Sequence, residues 1–364
     1  MRNTRIFIAW AITALSAGPV TAHAQARVQV QGRDTLALGR VTVGGRLHTQ
    51  LATSSVEGTT SDVFIRRARV TVDVGAVCPA GGSCFLDARV MPDFAGGRTA
   101  LQDAYVRLNV DRALRVSFGQ FKRAFSTFEL SSSTDLPIVE RDGRVDGVDL
   151  CAGVGGVCTF SRLTERLGFD GRDVGLRLEG RLGGRASYLG TVTNGEGLNT
   201  PDVNEGKSFS GRLDLEAVDG VAVGLFGGVH DHPGAVQDDT DYGVAFGADV
   251  ELGGWRDGFH LLGALSTGDN WRAGPDARFV AAQALISYYV PLDRPRLAGV
   301  EPLFRVGWAD PDDDARDDAG LVLTPGVMVY VLGKNAVSAN VDVYAPSGAA
   351  DTEWSLKLQT YVYF

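Results

Sequence analysis

Long apolar runs are missing from this 364-residue chain once its first two dozen residues are passed. No later stretch approaches the roughly 20 apolar residues that a spanning helix needs. No segment of helical length shows a 3.6-residue period, and no solenoid repeat is visible. Histidine is scarce, and beyond the N-terminal region only His48, His230, His232 and His260 remain, none beside a candidate nucleophile in the sequence. G-x-S-x-G, H-E-x-x-H and the phosphate-binding P-loop do not occur. An enzyme would therefore have no motif to rest on, and no cofactor, metal centre or nucleic-acid partner is expected. His230-Asp231-His232 leaves a lipid- or peptide-cleaving barrel open as an alternative. The four cysteines fall in two local pairs, Cys78/Cys84 and Cys151/Cys158, with no histidine near either. Two loop disulfides in an exported protein are the favoured reading, with zinc the competing one.

What is present is alternation. Trp354, Leu356, Leu358, Val362 and Phe364 share one face of the last strand, while Glu353, Ser355, Lys357 and Gln359 share the other. The same period of two runs through Tyr242 to Val250 and through Ser208 to Glu216. Sixteen such segments can be drawn, near 41–51, 63–75, 83–91, 101–110, 113–122, 171–182, 185–193, 207–218, 221–230, 241–252, 255–267, 278–290, 300–309, 320–332, 335–345 and 352–364. Tight turns such as Gly183-Gly184, Asp219-Gly220 and Gly333-Lys334 alternate with long polar connections. Short turns on one side and long loops on the other are the pattern of a transmembrane antiparallel β-barrel, all-β, of about sixteen strands. A soluble sandwich shares the alternation but would not sort its loops by parity. Mean hydropathy is zero, as equal lipid-facing and water-facing residues would average. At the N-terminus, Met1 to Arg5 is basic, Ile6 to Val20 is apolar and Ala22-His23-Ala24 is a small-x-small site. This reads as a signal peptide over 1–24, then a short periplasmic segment over 25–40 and an outer-membrane barrel over 41–364.

The longest connection, 123–170, is the third external loop. Gly119-Gln120-Phe121-Lys122-Arg123-Ala124-Phe125-Ser126 opens it, followed by Glu129-Leu130-Ser131-Ser132-Ser133, Glu140-Arg141 and Gly171-Arg172-Asp173-Val174-Gly175. With Phe64 to Arg69 and Leu101 to Tyr105, these segments resemble, in order, the motifs of the phosphate-selective porin O and P family. Ala124 stands where that family usually has proline, and the Cys151/Cys158 segment is not part of its pattern. The resemblance implies a homotrimeric outer-membrane porin in contact with lipid and lipopolysaccharide. It also implies that the long loop folds inward as a constriction carrying Lys122, Arg123, Glu140, Arg141 and Arg144, and that the solutes are small anions such as phosphate. A general diffusion pore and a non-conducting structural barrel are the alternatives.

By strand phase, the first six strands turn Arg46, Arg67, Arg69, Arg89, Arg107, Arg115, Arg177 and Arg181 to the lumen, against Asp73, Asp87, Asp103, Asp173 and Glu179. The other ten turn in Arg212, Arg305 and Lys357, against Asp214, Glu216, Asp249, Glu251, Glu301, Asp342 and Glu353. One wall is expected to be basic and the other acidic. Arginine suits oxyanions because its planar fork donates hydrogen bonds in pairs. Lys122 is ambiguous, since strict alternation from Leu114 points it outward. The net charge of −9 is concentrated in two external loops, around Asp231 to Asp241 and Asp310 to Asp318. Asp310-x-Asp312-x-Asp314 has the spacing of a calcium loop but has Ala315 where such a loop needs glycine, so a solvated rim is expected.

Overall fold

The structure is a computed structural model that describes residues 38–78, 84–233 and 240–364. The expected leader, almost all of the expected periplasmic segment, and Asp238 and Asp239 of the rim lie outside the described residues. Strand-forming alternation becomes β1 (Leu38–Ser54), β2 (Asp62–Ala76), β3 (Leu86–Asp93), β4 (Ala100–Asn109), β5 (Arg115–Lys122), β6 (Arg172–Leu182) and β7 (Ala186–Thr193). There follow β8 (Ser208–Val218), β9 (Val221–Pro233), β10 (Thr240–Gly254), β11 (Asp257–Asp269), β12 (Arg278–Tyr288), β13 (Val290–Arg294), β14 (Leu297–Asp310), β15 (Gly320–Leu332), β16 (Asn335–Pro346) and β17 (Glu353–Tyr363).

Neighbours pair antiparallel all the way round. β17 returns to β1 in a register running from Arg46↔Tyr363 to Ser54↔Ser355, so the sheet has no free edge. β12 and β13 both pair with β14 and are two pieces of one stave, which makes sixteen staves in all. The break falls at Tyr289, whose hydroxyl donates to Ala298 O at 3.0 Å while its ring packs edge-on to Tyr330. Among the described residues no helix is long and apolar enough to cross a membrane.

The alternation sorts the faces as expected. On β17, Trp354, Leu358 and Val362 are exposed on the outside while Ser355, Lys357, Gln359 and Tyr361 are buried inside. Val43, Leu47, Ile65, Phe118, Phe209, Leu225 and Phe246 continue the exposed apolar outer surface. Two short helices, α1 (Thr127–Leu130) and α2 (Phe160–Arg166), lie in the long loop. Both disulfides are formed. Cys78–Cys84 closes the β2–β3 connection, on the short-turn side of the barrel, and Cys151–Cys158 closes a bend in the long loop.

The apolar core lies inside the barrel. Phe125, Phe128, Phe160, Leu163, Leu167 and Phe169 of the long loop pack against Phe226, Leu262, Phe279, Leu285 and Leu303 on the inner faces of β9 to β14. A water-filled barrel would turn polar residues inward on these strands. Apolar ones are found because the loop covers them.

Candidate functional site: a basic passage beside an internal plug

The loop enters the lumen directly after β5. Ala124 N donates to Ser210 Oγ at 3.0 Å, Phe125 O accepts from Arg212 at 3.1 Å, and Thr127 N donates to Asp249 at 2.8 Å. Ser126 caps α1 by accepting from Glu129 N. At the C-terminal end of that turn the Lys122 ammonium donates to the carbonyls of Glu129, Leu130 and Ser131. Lys122 therefore points inward, against strict alternation, because the chain is already leaving the wall. It neutralises carbonyls that an α1 of one turn leaves unpaired.

The chain then descends to the short-turn end. Asp135 accepts from Lys334 at 2.9 Å and from Arg256 at 3.2 Å, two residues of the turns after β15 and β10. It rises again past Glu140, whose carboxylate takes Arg66 in two bonds of 2.6 and 3.0 Å, and past Arg144, whose carbonyl accepts from Ser355 and Lys357. Burial pushes the Glu140 and Glu129 carboxyls up, but the charges of Arg66 and Arg67 on the first and of Arg141 and Lys122 on the second outweigh it, and both end below the usual range.

Arg66 was not among the residues assigned to the lumen by phase. The register shifts from His48↔Arg67 to Thr49↔Ile65, so Arg66 is the extra residue of a β-bulge. The bulge turns two consecutive arginines inward.

The acidic wall is largely spent. Asp342 binds Arg305 at 2.6 Å and Lys357, all three buried. Asp249 holds Arg212 at 2.6 Å, Glu301 accepts from Ser287 and Tyr330, and Glu251 meets His260 at 2.8 Å. The plug lies over most of this wall. The basic wall is left open beside it.

There, Arg46, Arg67, Arg69, Arg89, Arg107, Lys122, Arg141, Arg172 and Arg177 line one chamber of about 550 Å³, with Asp103 its single carboxylate. Each resembling motif reaches it: Phe121 and Lys122, Leu130 with Ser132 and Ser133, Arg141, Arg172, Tyr105, and Arg67 with Arg69. Several of these cations have partners. Arg69 binds Asp93 at 2.6 Å, Arg89 binds Asp73 at 2.7 Å, Arg107 binds Asp87 at 2.8 Å and Arg172 binds Asp103 at 2.7 Å. Among the described residues Arg46 hydrogen-bonds only Ser133 and Met91. Arg67, 7% exposed, makes no hydrogen bond or ion pair among the described residues. Neither forms an ion pair with a carboxylate among the described residues, and Glu140 acts on Arg67 only through space.

A second chamber, toward the short turns, mixes Arg115, Arg177, Arg181 and Arg185 with Glu179, Asp214, Glu216 and Glu251. Arg115 and Arg177 both face Glu179. Two other residues lie away from the first chamber. Arg123 is buried at the loop's stem, donating to Gly168 O and lying 3.3 Å from His230 Nδ1. Arg144 is exposed and paired to Asp146 at 2.5 Å.

His230 does have a hydroxyl neighbour that its sequence position conceals. Ser208 Oγ lies 3.1 Å from His230 Nδ1 across the β8–β9 pairing. Asp231 binds the serine rather than orienting the imidazole, and all three residues are buried, so the geometry of a catalytic relay is not made.

A prediction follows for Lys122. Lys122→Met leaves the Glu129 and Leu130 carbonyls without this donor and only Arg141 on Ser131 O and beside the Glu129 carboxylate, and breaking such a buried charge site costs about 3–5 kcal/mol. The loop, not the wall, should become protease-sensitive in the folded barrel. Protection equal to wild type would contradict the capping role.

A closed wall of sixteen antiparallel staves, lipid-compatible outside and crossed within by its own long loop, is the fold of the outer-membrane porins. Residues 41–207 match the model of the family Phosphate-selective porin O and P. Among solved structures, the anion-selective porin from Comamonas acidovorans is similar at 14% identity and a TM-score of 0.62, over 89% of this chain and 99% of that one. The outer membrane channel DcaP of Acinetobacter baumannii is similar at 14% identity and a TM-score of 0.59, over 89% and 97%. The trimer form of OmpT of Vibrio cholerae is similar at 11% identity and a TM-score of 0.53, over 88% and 99%. No curated protein matches the chain.

Proposed function

We propose that this protein is an outer-membrane porin through which small hydrophilic anions, phosphate among them, diffuse passively. The observation that supports this most is the chamber lined by nine cationic side chains and one carboxylate, beside a wall on which Asp249 and Asp342 are paired and buried. Rings of arginine and lysine are how anion pores are built. Arg46 and Arg67, which form no ion pair among the described residues, attract an oxyanion without first breaking a bond to a carboxylate. We read the work as permeation, since Ser208, His230 and Asp231, where a hydroxyl meets an imidazole, do not form a relay. We further read the assembly as a homotrimer in contact with lipid and lipopolysaccharide, with the leader removed on export. The mixed charges of the second chamber favour one other reading, a general pore with a transverse field.

Phosphate separates the two. Added to purified protein in a planar bilayer, it should reduce chloride current in a saturable way. A strong chloride current that phosphate never reduces would leave a porin but remove phosphate as its solute.

A further inference from the structure

The connection between β7 and β8, residues 194–207, meets β9 at the long-loop end of the barrel. Asp231 of β9 is only 3% exposed, and its Oδ1 accepts from Ser208. Its Oδ2 is buried without a hydrogen-bond partner, and so is Asn204 Oδ1 of the connection. These two oxygens lie 2.9 and 3.0 Å from the point where a Cβ on Gly206 would stand. Gly206 is not among the residues of positive φ, so glycine there answers a need for space and not for backbone freedom.

Turning the amide over does not relieve the pair. Asn204 Nδ2 donates to Glu196 at 3.0 Å, so the amide stands between two carboxylates with one NH2 group to offer. Whichever way it faces, one side sets oxygen against oxygen. A buried acceptor left in that state costs about 1–3 kcal/mol.

The nearest cations are engaged elsewhere. Lys207 binds Asp202 at 2.8 Å and donates to Gly206 O at 2.7 Å, Arg272 lies over the Trp271 ring at 4.6 Å, and Arg123 donates to Gly168 O. No cation forms an ion pair with Asp231 or Glu196 among the described residues. Asp231, Asp202 and Asp173 all act on Glu196 through space.

We propose that a divalent cation of the size and hardness of calcium binds here, held by Asp231 Oδ2, Asn204 Oδ1 and the Glu196 carboxylate. Calcium takes about six to eight oxygens, with carboxylate, amide and water all accepted. Water reaches the remaining positions from the adjoining cavity of about 710 Å³, which Glu196, Asn204 and Asp231 line. Three protein oxygens and a wet shell suit a dissociation constant of about 10⁻⁴ to 10⁻³ M. Glu196 also lines a smaller cavity with Arg123, Arg166, Arg172 and Arg272, and Arg172 reaches from there into the basic chamber. The bound ion therefore covers acid at the approach to that chamber.

The test is terbium luminescence of the purified full-length protein, excited through tryptophan, with calcium as the competing ion. Trp271 lines the same cavity and serves as the antenna. Wild type should give a saturable signal that calcium displaces. Gly206→Ala keeps every ligand oxygen and sets a methyl between two of them, and it should weaken calcium at least tenfold, as should Asp231→Asn. Asn204→Asp adds a charge to the same site and should tighten calcium, which keeps the site testable if the weakened variants fail to fold. Asp314→Asn, on the acidic rim, should bind as wild type does. No displaceable signal in wild type would overturn the site. So would calcium affinities within twofold of wild type in Gly206→Ala, Asp231→Asn and Asn204→Asp, or a signal lost in Asp314→Asn.

Discussion

Removal of residues 127–165 is expected to raise single-channel conductance several-fold. The sixteen staves close on themselves through β17 and β1, so the wall does not depend on the loop for its hydrogen bonds. Apart from Arg66, which loses Glu140, the paired charges beneath the plug remain satisfied. Arg212 with Asp249, and Arg305 with Asp342 and Lys357, are wall-to-wall pairs that survive the deletion. What is lost is the apolar packing of Phe128, Phe160 and Leu163 on Phe279, Leu285 and Leu303. At about 25 cal/mol per Å² of apolar surface, that loss lowers stability without opening the sheet. Both cysteines of the second disulfide leave together, so no free thiol is created. Conductance equal to wild type in a folded deletion would show that the loop does not limit the passage. The deletion should also weaken anion preference, because the widened lumen carries current far from the basic wall.

Arg67→Gln is the second large effect. Arg69, Arg89 and Arg107 each bond a carboxylate, whereas Arg67 forms no ion pair among the described residues and feels Glu140 only through space, so removing its charge breaks no bonded pair. Unit charges about 7 Å apart interact by about 0.6 kcal/mol in water and about 2.4 kcal/mol at an effective dielectric constant of 20. Anion permeability should therefore fall between about threefold and several tens-fold, and the fall should shrink at high salt, where screening is stronger. Arg46→Gln should act in the same direction, and the double variant should lose most of the phosphate block. Arg115→Gln, beside Glu179 in the mixed chamber, should have a smaller effect. Equal effects of Arg67 and Arg115 would mean that net charge, not the unpaired sites, sets selectivity.

The wall was legible in the sequence and the interior much less so. Strand positions and inward faces follow from a period of two, which Tyr242 to Val250 displays throughout and Trp354 to Phe364 displays with Thr360 as its one interruption. The motifs after Gly119 located the loop, and its length said it must do more than connect. Three features were hidden for definable reasons. The bulge at Arg66 cannot be seen in a run of polar residues, since alternation is read from apolar ones. Phase counting already set Arg212, Arg305 and Lys357 against seven acids; what it cannot show is that these three sit on Asp249 and Asp342 as buried pairs beneath the loop. Asp135 carries no local sign that it will meet Arg256 and Lys334, 121 and 199 positions away. Lys122 and the break at Tyr289 are smaller cases, both at points where the chain leaves regular alternation.

The central claim is that current follows the basic wall past Arg46 and Arg67. It is tested most directly by the reversal potential of wild-type protein in a planar bilayer under a potassium chloride gradient. The sign predicted is that of chloride permeating faster than potassium, with the preference reduced in Arg67→Gln. A cation-selective wild-type channel, or a reversal potential that Arg67→Gln does not move, would contradict it.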